Sequence, residues 1–236
     1  MKKHIRFSIL FVLAILTLQL GYAQEKNAAL ILDGVKEKFA LVNEYEASVK
    51  IKVDVNFVKI PEKSGKIWYM QPGKVIVKTP GFSLLPKRGM NFTPNQLFSG
   101  DYTALYAREE QYAGVTTQVI KVIPNSDADD IILSTLWIDT QRNVIRKLET
   151  TTKSEGTFSM QFRFPSEIKT YDLPDQILFN FDIRKNELPL GLTGDFENQG
   201  NKDKTPKNSR GTVTITYLNY LVNQGKALPV FQKKNK

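Results

Sequence analysis

Alternation of apolar and polar residues, repeated through most of the chain, constrains the fold more than any other feature of this sequence. In residues 49–57 valine, isoleucine and phenylalanine alternate with charged or polar residues, and residues 157–164 (TFSMQFRF) place four bulky apolar side chains on one side. This period of two is typical of a sheet with one face in water. We therefore predict a mainly β protein with further strands at residues 66–70, 74–78, 102–109, 115–123, 131–139, 144–153, 176–184 and 212–222.

A different period precedes the first strand. Within residues 25–44 apolar side chains recur at helical spacing, namely Ala28, Leu32, Val35, Phe39 and Val42. Charged residues occupy other positions around the same helical wheel. The pattern predicts one amphipathic helix at the start of the domain.

The first 23 residues have the pattern of a secretory signal peptide. A basic start is followed by an uncharged apolar run of about 14 residues, shorter than the roughly 20 that span a bilayer. Gly21 and Ala23 are the small residues that a cleavage site requires. We expect a soluble protein exported to the periplasm, with a single domain over residues 24–236. Because the chain has no cysteine, we expect neither lipidation nor disulfide bonds.

The residue types that perform most enzyme chemistry are missing. Cysteine is absent and the one histidine, His4, lies in the predicted signal, which excludes Ser-His-Asp, Cys-His and zinc sites. Glu109 and Glu110 are adjacent on a predicted strand, so they point to opposite faces and cannot form an acid/base pair. We expect no catalysis, no cofactor and no metal. The formal net charge of +9 includes three residues of the signal, and an exported protein is not expected to bind nucleic acid.

Large apolar side chains gather on one face of neighbouring strands, and the sequence supplies little to cover them. The cover consists of the predicted helix and an apolar loop at residues 79–100. Each large side chain gains roughly 1.5–3 kcal/mol by leaving water, so an open face of this size would promote aggregation. Either the helix and loop fill the interior, or they leave a cavity for an apolar guest. The alternation alone does not decide between a filled interior and a cavity.

A series of short motifs resembles one protein family. They are VKIKVDVNF, GKIWYMQP, AGVTTQVIKVIP, STLWIDTQRNVIRKLETTTKSEGTFSMQFRF and YDLPDQILFNFDI, spread over about residues 25–222. Together with the predicted signal and helix, the series is similar to the LolA-type outer-membrane lipoprotein carriers and their LolB and RseB-type relatives. The resemblance implies a strongly curved antiparallel sheet forming an unclosed half-barrel, with an N-terminal helix and a loop or helix lid.

The resemblance also implies a function. In the carriers an apolar cavity holds the acyl chains of a lipoprotein, which pass from a membrane-bound donor to a membrane-bound acceptor. We expect a monomer that binds lipid or lipoprotein acyl chains. The expected lipid-binding residues are Val53, Val55, Phe57, Trp68, Phe158, Met160, Phe162, Phe179 and Phe181, and the expected lid residues are Phe82, Leu84 and Leu85.

Two positions bear on how such a carrier would release its cargo. Trp68 and Pro72 match the tryptophan and proline of the family's motif, but the arginine that the carriers place before this proline is replaced by Gln71. That arginine helps latch the lid, and a neutral amide cannot form the same charge-assisted bond. The alternative function is an envelope interaction or stress-sensing protein that uses the same fold with a partner-binding surface.

Overall fold

The computed structural model describes residues 27–55, 58–59, 61–79, 100–154, 156–184 and 208–233. Two helices, α1 (Ala28–Ala40) and α2 (Leu228–Lys233), flank the strands in sequence. The strands are β1 (Glu44–Val55), β2 (Val58–Lys59), β3 (Lys63–Met70), β4 (Lys74–Lys78), β5 (Tyr102–Tyr112), β6 (Val115–Pro124), β7 (Ile131–Asp139), β8 (Val144–Thr152), β9 (Gly156–Arg163), β10 (Gln176–Arg184) and β11 (Asn208–Val222).

The strands form one 11-stranded antiparallel sheet. Its order is β4-β3-β1-β11-β10-β9-β8-β7-β6-β5, and β2 pairs only with β1. Within the described residues β4 and β5 are not hydrogen-bonded to each other, so the sheet does not close into a barrel. The predicted mainly β class and unclosed half-barrel are confirmed.

One face of the sheet, the inner face, packs against α1. Asn27 begins the helix, because its side chain accepts hydrogen bonds from the backbone N–H groups of Ala29 and Leu30 at 3.0 and 3.4 Å. Leu32 and Val35 of α1 are buried in the same core as inner-face residues from eight strands. Neither helix of the described part of the chain has the length and apolar character needed to cross a bilayer.

The middle of the inner face is filled by aliphatic and aromatic side chains. Leu136 and Ile120 have no exposed surface, and Ile51 is 1% exposed. Met160, Phe179 and Val213 complete this layer. We call these six residues, together with Val53, the filled region.

A β-bulge shifts the pairing of β11 with β1. Ser48 pairs with Asn219 and Val49 pairs with Tyr217, so Leu218 is the extra residue and lies 57% exposed. The bulge reverses the sides taken by the residues that follow it. As a result Tyr220 joins the inner face beside Tyr217, whereas Asn219 accepts a hydrogen bond from the backbone N–H of Ser48 at 3.0 Å.

The short helix α2 was not predicted from the sequence. It packs through Phe231 against Trp68 and Ile76 on the opposite, outer face of the sheet. The segment before it is held by Glu44, whose carboxylate accepts hydrogen bonds from the backbone N–H groups of Gly225, Lys226 and Ala227. The C-terminal end of the described chain is thereby attached to the start of β1.

Candidate functional site

A cavity of about 120 Å³ lies between the C-terminal half of α1 and one end of the inner face. The helix contributes Val35, Lys38 and Phe39 to its wall. The sheet contributes apolar and tyrosine side chains: Tyr45, Tyr69, Val144, Ile145, Leu148, Phe162, Ile177, Tyr217 and Tyr220. An engineered apolar cavity of about 150 Å³ accepts benzene. The cavity is therefore large enough for a short apolar segment, and an acyl chain of 16 carbons or so would need several times this volume.

Four tyrosines form a continuous aromatic cluster around the cavity. The Tyr45 ring stacks on Tyr69 with centroids 5.3 Å apart and meets the edge of Tyr220 at 5.3 Å. Tyr217 stacks on Tyr220 at 4.9 Å. On the helix side, Phe39 contacts Tyr69 edge-on at 5.4 Å. These contacts fix the ring positions, since aromatic pairs at such distances are attractive in stacked and edge-on geometry.

The four hydroxyl groups differ in their partners. Tyr220 donates to the carbonyl oxygen of Pro174 at 2.7 Å. The hydroxyls of Tyr45 and Tyr217 interact with each other, and either could be the donor. The Tyr69 hydroxyl is buried and has no hydrogen-bond partner in the described structure. A buried polar group without a hydrogen-bond partner costs free energy and is rare in native structures. The Tyr69 hydroxyl is therefore a candidate for contact with a ligand.

Burial raises the pKa of all four phenols. It raises the pKa of Tyr69 to about 12 and that of Tyr217 to about 12. Burial also raises the pKa values of Tyr45 and Tyr220 well above the usual value of tyrosine. At neutral pH these hydroxyls are uncharged hydrogen-bond donors and acceptors.

The connection between β9 and β10, residues 164–175, forms a wall of the cavity, and we call it the strap. Phe164, Asp172, Leu173 and Pro174 of the strap line the cavity. Asp172 forms a bidentate ion pair with Arg142, whose Nε lies 2.8 Å from Oδ2. Both side chains are almost fully buried, at 7% exposure for Arg142 and 2% for Asp172.

Further contacts hold the strap to the turn before β8. Arg142 Nη1 donates to the carbonyl oxygen of Pro165 at 2.7 Å. The Phe164 ring lies 5.3 Å from the Arg142 guanidinium and 5.0 Å from that of Arg146, close enough for cation–π attraction. Arg146 in turn pairs with the buried carboxylate of Asp139 at 2.7 Å. The strap is thus fixed by charge pairing at a buried site, where removal of one partner is costly.

The helix and the strap meet at the rim of the cavity. Lys38 Nζ donates to the carbonyl oxygen of Lys169 at 3.3 Å. The exposed side chain of Asn143 lies over Gly34, where a Cβ atom would come within 3.0 Å of Asn143 Oδ1. Glycine at this helix position therefore allows the turn before β8 to approach α1 closely.

Gln71 connects the end of α1 to the turn between β3 and β4. Its Nε2 donates to the carbonyl oxygens of Ala40 and Val42 at 3.1 and 2.9 Å. The Ala40 carbonyl is one of those left without partners where a helix ends, and Val42 follows the helix by two residues. The neutral amide therefore does make a latch-like contact with the helix, without the charge that the carriers' arginine would supply.

The predicted lipid-binding residues lie in different places. Phe162 lines the cavity. Val53, Met160 and Phe179 belong to the filled region, and Phe158 and Phe181 pack against it. The Phe181 ring lies across Gly211 of β11. A Cβ atom at position 211 would come within 2.4 Å of this ring, so the close contact requires glycine. The backbone of Val55 pairs with Gly211, but its side chain is not described.

Several predicted positions fall outside the described residues. They are Phe57, the lid residues Phe82, Leu84 and Leu85, and the predicted signal peptide, residues 1–23. The predictions for them stay predictions.

Trp68 is not on the inner face, and the prediction that placed it there is corrected. Its Nε1 donates to Glu46 Oε2 at 2.7 Å, and its ring packs against α2 on the outer face. The reason is the strand period: Ile67 and Tyr69 both point inward, so the residue between them must point outward.

Sequence reasoning missed the main components of the site. It did not single out Tyr45, Tyr69 or Tyr220, and it treated the strap as a simple connection. A usable signal was present, because tyrosines occur at the ends of three strands that pair side by side, β3, β1 and β11. A buried tyrosine has an apolar ring and a polar tip that needs a partner.

Known proteins were compared with this chain by sequence and by fold. No family model matches the chain, and no curated protein matches its sequence. Among solved structures, a LolA superfamily protein from Nitrosomonas europaea aligns with a TM-score of 0.53 and 13% identity, over 84% of this chain and 94% of that one. The protein has the LolA-like fold. The fold that the resemblance implied is confirmed.

A second solved structure gives the same result. A DUF1329 family protein from Desulfovibrio piger aligns with a TM-score of 0.51 and 10% identity, over 84% of this chain and 94% of that one. At these identities the likeness concerns the fold alone. What the LolA-like half-barrel of this chain binds has to be argued from its own cavity.

Proposed function

We propose that this protein is a non-enzymatic carrier that holds an acyl chain of a lipid or lipoprotein between α1 and the inner face of the half-barrel. The observation that carries the proposal is the cavity itself, whose wall is built mainly of apolar and neutral tyrosine side chains. Burial of hydrocarbon gains roughly 0.8 kcal/mol per methylene group, so even a short buried segment contributes to affinity.

The size of the cavity determines how such a chain is held. A volume of about 120 Å³ takes only a few carbon atoms, and the side chains of the filled region are at most 5% exposed. A longer chain is held, in this proposal, by movement of α1 away from the sheet. The helix is held at its C-terminal end by the two hydrogen bonds from Gln71 and by the Lys38 contact with the strap.

The proposal includes a location and partners. Export through the predicted signal peptide brings the protein to the periplasm, where it acts as a soluble monomer. It receives its cargo from a membrane-bound donor and passes it to a membrane-bound acceptor in outer-membrane biogenesis. The LolA-like fold supports this role by analogy, since a fold alone does not determine function.

The test is the lipid content of protein purified from the periplasm, measured by extraction and mass spectrometry. We expect a co-purifying lipid in the wild type and its loss in the Phe162→Glu variant, because a carboxylate in the cavity wall opposes hydrocarbon burial. Leu218→Glu is the matched control, since Leu218 is 57% exposed at the bulge. Circular dichroism checks that both variants are folded. Equal lipid content in wild type and Phe162→Glu contradicts the proposal.

The filled region favours a second candidate, an envelope interaction protein whose core is complete without cargo. Leu136 and Ile120 have no exposed surface and leave no room for a chain at their level. In that case the fold would present a partner-binding surface instead of a cavity. Repeated absence of lipid from the purified wild type supports this second candidate over the carrier.

A further inference from the structure

The unpartnered hydroxyl of Tyr69 bears on the chemical class of the cargo. This inference rests on the proposed carrier function. Tyr69 is 1% exposed, its ring is part of the cavity wall, and its hydroxyl is unpartnered in the described structure. A phenylalanine would fill the same space without the cost of an unpaired hydroxyl.

A second hydrogen-bond donor is left over in the same cluster. The hydroxyls of Tyr45 and Tyr217 face each other in the cavity wall, and one hydrogen bond between two hydroxyls uses only one of their two protons. Tyr220, by contrast, uses its proton in the bond to Pro174. The cluster therefore holds up to two unused O–H protons beside an otherwise apolar space. The Tyr69 hydroxyl is itself fully buried, so a ligand has to displace a neighbouring side chain to reach it.

The charges around the cavity argue against an anionic group in its interior. Among the described residues of the wall, Lys38 is the one cationic side chain, and it lies at the rim with its Nζ near the carbonyl oxygen of Lys169. Asp172 is the one anionic side chain among these residues, and Arg142 neutralises it. A carboxylate beside the tyrosines would lose its hydration without gaining a cation.

We propose that the tyrosine cluster binds an uncharged carbonyl, the ester or amide group of an acylated molecule, with the Tyr69 hydroxyl as donor and the Tyr217 hydroxyl as a second donor. A pure hydrocarbon would leave Tyr69 unpaired, and a free fatty acid would bring an unpaired charge. An ester or amide supplies an acceptor without charge. The group has to approach Tyr69 past Phe39 of α1, whose ring contacts it edge-on.

Three probes of matched size test this inference on the full-length mature protein. Methyl octanoate carries an ester, nonanoate carries a carboxylate on the same number of heavy atoms, and undecane carries no polar group. Affinity is measured by displacement of a fluorescent apolar dye. The Tyr69→Phe variant is expected to bind methyl octanoate about tenfold more weakly, while its affinity for undecane is unchanged or higher. Nonanoate is expected to be the weakest of the three in the wild type at neutral pH.

Control variants separate a role in recognition from a role in packing. Tyr112→Phe removes a hydroxyl from β5, away from the cavity wall, and should leave all affinities unchanged. Tyr217→Phe serves as a second probe if Tyr69→Phe folds poorly, and should weaken ester binding selectively as well. Thermal melting of each ligand-free variant checks folding, and Tyr69→Phe should melt no lower than the wild type.

The outcomes distinguish failure of carbonyl recognition from failure of the carrier function. If Tyr69→Phe and Tyr217→Phe lose affinity for the ester and for undecane equally, or for neither, carbonyl recognition is wrong and the carrier function stands. If the wild type binds neither methyl octanoate nor undecane, the carrier function itself is wrong, and the inference is overturned with it. Tighter binding of nonanoate than of the ester also contradicts the inference.

Discussion

The filled region and the tyrosine-lined cavity are two parts of one inner face, yet they are built from different side chains. The filled region takes aliphatic, methionine and phenylalanine side chains from the middle of the strands, and these are at most 5% exposed. The cavity lies at the strand ends, where tyrosines, α1 and the strap meet. The difference lies in what bounds each part: side chains of the strands and of α1 pack together in one core, whereas the cavity is bounded by the end of α1 and the strap.

The two parts also differ in what stabilises them. Dispersion and the hydrophobic effect hold the filled region. The cavity wall depends on a few specific polar contacts, chiefly the Arg142–Asp172 pair and the Gln71 bonds to the end of α1. Each of these contacts involves few side chains, so a single substitution can remove it.

The largest expected effect comes from the strap. Asp172→Asn leaves the buried Arg142 charge without its counter-ion, and we expect the free energy of unfolding to fall by about 3–5 kcal/mol. Urea denaturation measures the change. Glu167→Gln is the matched control and should have almost no effect, because Glu167 is 77% exposed and 3.8 Å from Lys169. A loss below about 1 kcal/mol would show that the strap is not held by this ion pair.

The filled region should respond as an ordinary core does. Leu136→Ala removes a side chain with no exposed surface, and we expect a loss of about 2–5 kcal/mol in the free energy of unfolding. Leu41→Ala, at a position that is 48% exposed, is the control. A small effect of Leu136→Ala in urea denaturation would mean that the region adapts easily, and the contrast with the cavity would then be lost.

Alkaline pH should act on the cavity and not on the filled region. Burial raises the pKa of Tyr69 to about 12 from 10.0, so the unfolded chain loses this proton first as the pH rises. The contribution of Tyr69 is therefore complete below pH 10 and is lost as the pH approaches about 12. Across that window the wild type should lose about 3 kcal/mol relative to Tyr69→Phe.

Denaturation of both proteins at several pH values measures this difference. Tyr171→Phe is the control, since Tyr171 is exposed on the strap. Parallel pH profiles for the wild type and Tyr69→Phe would contradict the buried, neutral state of the Tyr69 hydroxyl.

The smallest effect is expected at the end of α1. Gln71→Ala removes two hydrogen bonds to the carbonyls of Ala40 and Val42, at a cost of about 1 kcal/mol. Hydrogen exchange should show faster opening of α1 with little change in the filled region. Gln224→Ala, at an exposed position, is the control. Unchanged exchange in α1 would show that Gln71 does not hold the helix.

Much of the fold could be predicted from the sequence, because the alternation of residues 49–55 and 157–163 is a local property of each strand. The helix period around Leu32 and Val35 was equally clear, and α1 lies where it was predicted. The prediction of which face of the sheet a side chain lies on was wrong where the alternation is interrupted. Ile67, Trp68 and Tyr69 are consecutive apolar residues, so the sequence does not tell which of them points inward.

The site was harder to predict for a different reason. The bulge at Leu218 turns Tyr220 inward, and the sequence around it gives no sign of an extra residue. Arg142 and Asp172 are 30 residues apart, so their pairing depends on the three-dimensional arrangement of β8, β9 and the strap. Of the residues expected to bind lipid, Phe162 reaches the cavity because it lies at the end of β9 beside the strap.

Crystallography under xenon pressure tests the central claim most directly, because xenon enters apolar cavities of this size. The account predicts a xenon site between α1 and the inner face, bounded by Val35, Leu148 and Ile177. It also predicts no xenon within the filled region. An empty or water-filled space beside these three residues, or xenon bound only elsewhere, would contradict the claim that this end of the half-barrel accepts an apolar guest.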